Sequence, residues 1–224
     1  MPLNKSKGNM YPWVTHTWNP IRGCRHNCIY CYVQSIHNYD MTPRYVQRCL
    51  SDNLGEGKTI FVCSTGDMFG EWVPDLWISS VLSYCHRFPH NTYLFQTKNP
   101  QRIKGGLSLL PMHTILGTTL ETNRDYPEIS IAPPPDERAN WMYRYSYELK
   151  CDIMLSIEPI IDFDLKPFLA MIERIHPKFV SVGADSKGHN LPEPDPQKVQ
   201  ELVRELQQIT EVKFKRNLAR LGLR

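Results

Sequence analysis

The chain has 224 residues, 41% of them apolar, enough for one sizeable core, and no stretch reads as a long linker, so a single domain over residues 1–224 is expected. No run of about 18 uninterrupted apolar residues is present, which argues against a membrane-spanning helix. The opening MPLNKSKGNM lacks the apolar core of a signal peptide, and a net charge of +3 with a pI near 8.4 permits nucleic-acid or phosphate contacts without requiring them.

In chain order, residues 17–19 read as a strand end, followed by GCRHNCIYCY from Gly23 to Tyr32. Residues 32–40 and then 42–50 read as helical, with Pro43 in a first turn that tolerates it and Thr42 as the cap. Residues 60–63 form a short apolar, β-rich run that ends in the polar turn STGD. A helix over 75–88 follows, then a strand at 92–96, a short helix at 101–110 and a strand at 114–118. The proline-rich APPPDERA opens a helix over 135–149, and strands at 153–157, 179–182 and 212–214 alternate with helices at 165–175 and 196–208, the last capped by Asp195. Six or seven strand-helix units imply right-handed crossovers and a parallel sheet, too few units for a closed eight-fold barrel.

The cysteine loop carries the clearest chemistry. Cys24, Cys28 and Cys31 lie within eight residues, and soft thiolates select zinc, copper(I) or iron-sulfur clusters over hard cations. The triplet favours a 4Fe-4S cluster with one iron open. Zinc stays available because His16, His26 and His37 lie in or beside the loop, whereas a disulfide fits poorly with seven cysteines and no secretory signal. Cys49, Cys63, Cys85 and Cys151 show no second clustered spacing, and Cys63 and Cys151 read as buried structural thiols. A reducing, cytoplasmic setting suits an oxygen-sensitive cluster.

CRHNCIYC matches the CxxxCxxC signature of the radical S-adenosylmethionine (radical SAM) enzymes, with Tyr30 as the aromatic residue before the last cysteine. Within that superfamily, WNPIRGC, with Trp18, Asn19, Pro20, Gly23 and Cys24, resembles the opening of the phage Gp37/Gp68-like (DUF5131) group. The resemblance implies a partial (β/α)6 TIM-type barrel of parallel strands with outer helices. It implies a 4Fe-4S cluster on Cys24, Cys28 and Cys31, and S-adenosyl-L-methionine as cosubstrate. It further implies an external one-electron reductant of the flavodoxin or ferredoxin type, and a 5′-deoxyadenosyl radical that abstracts hydrogen from a substrate.

In parallel α/β folds the working residues sit at the carboxyl ends of strands, which nominates the site. Those ends carry residues 17–19, Ser64 to Asp67, Gln96 to Lys98, then Thr118, Thr119 and Glu121, then Ser156 and Glu158, Gly183 to Asp185, and Lys213 with Lys215. Where relatives commonly carry Gly-Gly-Glu to meet the amino group of the cosubstrate, this chain has Ser64, Thr65, Gly66 and Asp67; Asp67 alternatively caps the next helix. By the same resemblance Glu121 sits where relatives hold ribose hydroxyls or the carboxylate end. Glu158 matches the Glu-Pro of the group, and Tyr30 and the segment near Val182 flank the adenine. Basic side chains gather at Lys98, Arg102 and Lys104 and at Lys213, Lys215, Arg216, Arg220 and Arg224. Lys98 and Lys215 are the candidates for a substrate phosphate, which makes a nucleotide or nucleic acid the first expectation for substrate. A non-catalytic cluster- and SAM-binding protein and a zinc-binding α/β module are the alternatives.

Overall fold

Strand and helix alternate as the sequence implies. The computed structural model describes residues 3–8, 10–36 and 38–223. Strands β1 (Asn4–Lys5), β2 (His16–Trp18), β5 (Thr59–Val62), β6 (Thr92–Gln96), β7 (Thr114–Thr119), β8 (Asp152–Ile157), β9 (Phe179–Val182) and β10 (Glu211–Phe214) make one sheet in the order β1-β2-β5-β6-β7-β8-β9-β10. The pairs β2/β5, β5/β6, β8/β9 and β9/β10 are parallel, while β1 joins β2 antiparallel. A separate antiparallel pair joins β3 (Ile21–Arg22) to β4 (Arg44–Tyr45). Every residue of β7 and β9 is buried, the pattern of strands covered on both faces.

By its contacts the chain divides into two compact units, Met1–Asn27 with Cys31–Leu116, and Cys28–Tyr30 with Gly117–Arg224. In the first, α1 (Asp75–Cys85) buries Ile78, Val81, Leu82 and Cys85, and Trp18 stacks on Tyr84 at 5.5 Å while its indole N–H donates to Asp52. In the second, α2 (Pro135–Glu148), α3 (Leu165–Ile175) and α4 (Pro196–Ile209) pack in sequence, α2 on α3 and α3 on α4. Phe168, Ile172 and Ile175 on α3, and Val199, Leu202, Val203 and Leu206 on α4, recur at the three- and four-residue intervals that make one apolar stripe. No helix of the described residues is long and apolar enough to cross a membrane.

Two expected helices are corrected. Residues 32–40 form only the 3₁₀ turn Tyr32–Ser35; beyond it Asn38 takes a left-handed φ of 55°, and the Tyr39 hydroxyl donates to Thr65 O at 2.9 Å. Residues 42–50 instead supply β4 and the 3₁₀ turn Gln47–Ser51. There Asp40 accepts from Thr42 N at 2.8 Å, a local turn that competes with a helix start, so Pro43 opens no helix. The short helix expected at 101–110 is present as the 3₁₀ helix Pro100–Leu109, a form consistent with Gly105 and Gly106, each about 1 kcal/mol less favourable than alanine in an α-helix. Asp195 stands at the N-cap of α4 but makes no side-chain cap bond. Pro196 removes one amide donor from that first turn.

Candidate functional site

Within the first unit, two glycines fasten the start of the cysteine loop to the turn after β5. Gly23 has φ +81°, and a Cβ there would stand 2.4 Å from Thr42 O; Gly66 faces it, with a Cβ that would stand 2.6 Å from Gly23 O. Gly23 N donates to Thr65 O at 3.1 Å and Cys24 N to Met41 O at 3.0 Å. Only residues without side chains let two backbones approach this closely.

The STGD turn is largely occupied by protein partners. Tyr32 donates to Ser64 O at 2.6 Å, and the Asn19 amide oxygen accepts from Ser64 Oγ at 3.1 Å and Thr65 N at 3.0 Å. The Thr65 hydroxyl is buried with no hydrogen-bond partner. Asp67 is 4% exposed and accepts from His26 Nε2 at 2.8 Å, Lys98 N at 2.9 Å, Phe69 N at 3.0 Å and Thr97 Oγ1 at 2.7 Å. Burial alone would raise its carboxyl, but the donors from His26, Thr97 and Lys98 outweigh that and hold it below the usual carboxylate range. Asp67 therefore braces the cysteine loop, through His26, against the turn after β6, and it does not cap α1, whose N-cap is Pro74. His26 also meets Trp72 edge to face at 4.9 Å.

Cys28, Ile29 and Tyr30 belong to the second unit. Ile29 N donates to Ile129 O at 3.0 Å, and the Cys28 sulfur lies 3.1 Å from the Ser130 hydroxyl. Tyr30 donates to Glu121, and Arg138 binds the other oxygen of Glu121 at 2.9 Å and also the carbonyl of Thr119. Both charges of the pair are 5% exposed, and Arg138 Nε is buried with no hydrogen-bond partner. Burial first, then the Glu121 charge, pushes the Tyr30 phenol well above its ordinary value. Tyr30, Glu121 and Arg138 line a half-open pocket together with Thr122, Tyr126 and Ser130.

At the ends of β8, β9 and β10, Lys215 binds Glu158 at 2.8 Å, and Asn217 donates to Glu158 at 2.9 Å and to Ser186 Oγ at 2.8 Å. Lys215 is thus an ion-pair partner 7% exposed. In the loop after β9, Asp185 accepts from His189 Nδ1 at 2.6 Å and from Lys187 N at 3.2 Å. Lys98 is placed by its main chain on Asp67. Of the terminal basic group, Arg220 binds Glu193 and Arg224 lies outside the described residues.

All seven cysteines are free thiols. Cys63 and Cys85 are buried, and burial raises both; Cys151, expected buried, is partly exposed, its thiol pushed up to about 11 by burial. Cys24 and Cys31 are partly exposed, and Cys24 Sγ accepts the His26 amide N–H at 3.5 Å. The His26 amide on the Cys24 sulfur and the Ser130 hydroxyl beside the Cys28 sulfur are each an outer contact that suits an iron-bound thiolate. Among the described residues no group of three or more His, Cys, Asp or Glu is arranged to hold a metal ion, and His37 lies outside them.

A family model described as "Protein of unknown function (DUF5131)" matches residues 9–215. The chain belongs to the DUF5131 family. No curated protein matches this DUF5131 chain. Among solved structures it is similar to a spore photoproduct lyase complexed with dinucleoside spore photoproduct, with TM-score 0.67, 12% identity, and coverage of 93% of this chain and 79% of that one. A second lyase structure, described with bound AdoMet and dinucleoside spore photoproduct, gives TM-score 0.67 at 10% identity over 93% and 78%. Streptococcus suis SuiB bound to S-adenosylmethionine gives TM-score 0.59 at 14% identity, over 88% of this chain and 49% of SuiB. At these identities the likeness establishes the fold. It is α/β, with the mostly parallel sheet and helices of the radical SAM partial barrel.

Sequence reasoning missed His26 as a partner of Asp67, Arg138 as a partner of Glu121, and Ser130. The pairs Cys28–Ser130 and His26–Asp67 are 102 and 41 residues apart, and no local pattern announces them. For Arg138 the only signal was a lone basic residue on a face of α2 that is otherwise buried.

Proposed function

We propose that this DUF5131 protein is a radical SAM enzyme of the phage Gp37/Gp68-like group, with residues 1–224 working as one domain. In this reading Cys24, Cys28 and Cys31 hold a 4Fe-4S cluster, and S-adenosyl-L-methionine binds at the strand ends beside Tyr30 and Glu121. What carries the reading is the occurrence of CRHNCIYC on a fold shared with a protein described as bound to S-adenosylmethionine. Held by Cys24, Cys28 and Cys31, a 4Fe-4S cluster would supply the electron for reductive cleavage of S-adenosyl-L-methionine, chemistry that would make a 5′-deoxyadenosyl radical available for hydrogen abstraction from a substrate.

The chain's own residues hold and orient. Gly23 and Gly66 set the path of the loop, Asp67 braces it through His26, and the Thr65 hydroxyl is the one polar group of STGD that is buried without a partner in the protein. Tyr30 keeps its proton and donates to Glu121, so the carboxylate that Arg138 also binds is fixed at the wall of the pocket. Ser64, Gly66 and Glu158 serve as positioning groups. A nucleotide or nucleic acid is the proposed substrate class, with Lys98 as its basic contact, since Lys215 is buried against Glu158. The likeness to a lyase described with a dinucleoside photoproduct supports that choice. An external flavodoxin- or ferredoxin-type reductant in a reducing cytoplasm completes the proposal.

Anaerobic reconstitution with iron and sulfide, followed by reductant and S-adenosylmethionine, is expected to yield 5′-deoxyadenosine and methionine, and Cys28→Ala is expected to abolish both. Uptake of iron and sulfide without cleavage reduces the protein to a cluster-binding one. Uptake of zinc in place of iron and sulfide replaces the reading with a zinc module.

A further inference from the structure

Ser130 stands in a turn that nothing in the sequence marks. Ile129 N and Ser130 N both donate to Tyr126 O, at 2.9 and 3.2 Å, and Ile29 N donates to Ile129 O at 3.0 Å, which sews the cysteine loop to the turn. The Ser130 hydroxyl so placed is 3.1 Å from the Cys28 sulfur. Its oxygen accepts from Ala132 N at 3.2 Å, and in the contact with Cys28 either the hydroxyl or the thiol can be the donor. A sulfur that has lost its proton to bind iron can only accept.

We infer that Ser130 is a positioning residue that sets the reduction potential of the cluster by donating a hydrogen bond to the Cys28 thiolate. The inference rests on the proposed function, because it needs a cluster on Cys28. A donor on a ligating sulfur draws electron density from the centre and favours its reduced, more negative state, so the hydroxyl raises the potential. Cys28 is 7% exposed, and in so dry a setting a hydrogen bond counts for more than it would in water.

The test is a potentiometric titration followed by electron paramagnetic resonance, in reconstituted full-length protein without substrate, so that turnover plays no part in the readout. Ser130→Ala is expected to weaken reduction about tenfold, a fall of about 59 mV for a one-electron couple, and Ser130→Thr to restore the wild-type value. An alanine variant with full iron and sulfide and an unchanged potential overturns the inference and leaves the proposed function standing. Wild-type protein that takes up no iron and sulfide overturns both. If alanine does not retain the cluster, Ser130→Val against Ser130→Thr repeats the comparison at nearly constant volume. Threonine at the wild-type potential, with valine shifted or empty, supports the hydrogen bond. Identical behaviour of the two overturns it.

Discussion

Asp67→Asn isolates the brace beneath the cysteine loop. The carboxylate collects donors from His26, Lys98, Phe69 and Thr97 at 2.7 to 3.0 Å, and Asp67, His26 and Thr97 are each under 5% exposed. An amide fills the same volume but replaces one acceptor oxygen with an NH₂ group. In either orientation at least one main-chain N–H, of Lys98 or of Phe69, then faces a donor. One to two buried contacts at about 1–3 kcal/mol each give a loss of roughly 1–6 kcal/mol, read as a shift in the urea midpoint by circular dichroism. The pH dependence follows from the lowered carboxyl. Stabilisation by a group whose folded pKa lies below its unfolded value, about 3.9 for Asp, is present above that value and is lost as pH falls through the folded one. The gap between wild type and variant should therefore be full at neutral pH and narrow below about pH 4. A neutral-pH loss under about 0.5 kcal/mol, the range of ordinary surface changes, would refute the brace.

Other changes probe the neighbouring contacts. Gly23→Ala places a Cβ 2.4 Å from Thr42 O at a left-handed φ, so the loop must shift; reconstituted iron content should fall together with thermal stability. Gly183→Ala puts a Cβ 2.8 Å from Glu158 Oε1 and should cost about 1–3 kcal/mol in a melt, an effect that should shrink in a Glu158→Ala background. Arg138→Met strips the buried Glu121 of its counter-charge, for which about 3–5 kcal/mol is expected in denaturant unfolding. Spectrophotometric titration of tyrosinate should count the same number of phenols ionising below about pH 11 in wild type and in Tyr30→Phe, since the ordinary phenol value is about 10 and Tyr30 lies well above it. One fewer in the variant would show that Tyr30 ionises with the rest.

The sheet was legible because each strand is a short apolar run ending in polar residues. The predicted 92–96, 165–175 and 179–182 coincide with β6, α3 and β9. What failed lies between residues 32 and 51, where apolar side chains are too scattered to fix a period and the outcome depends on distant partners. Tyr32 and Tyr39 are drawn to carbonyls 32 and 26 residues away, and β4 forms only because β3 is there to pair with it. The nominated residues are placed at strand ends as expected, but their partners are not local. Whether Asp67 caps a helix, meets a ligand or braces a loop is decided by His26, Thr97 and Lys98, none of which is within 29 residues in sequence.

Register explains why a glycine stands between two charges at the end of β9. Ser156, Ser181 and Lys213 are aligned across β8, β9 and β10, so their side chains share one face of the sheet. Side chains two residues further on return to that face, which brings Glu158, Gly183 and Lys215 into the next row. The Glu158–Lys215 contact at 2.8 Å therefore spans the central strand of the three, and it can do so only if that strand offers no side chain at the crossing point. A Cβ on Gly183 would meet Glu158 Oε1, Cδ and Cγ, all within 2.9 Å. Gly183 is thus required by the ion pair rather than by its backbone angles, since its φ lies outside the left-handed range. A glycine so placed predicts that any larger residue separates Lys215 from Glu158, leaving a buried ammonium without its carboxylate at the carboxyl ends of the strands.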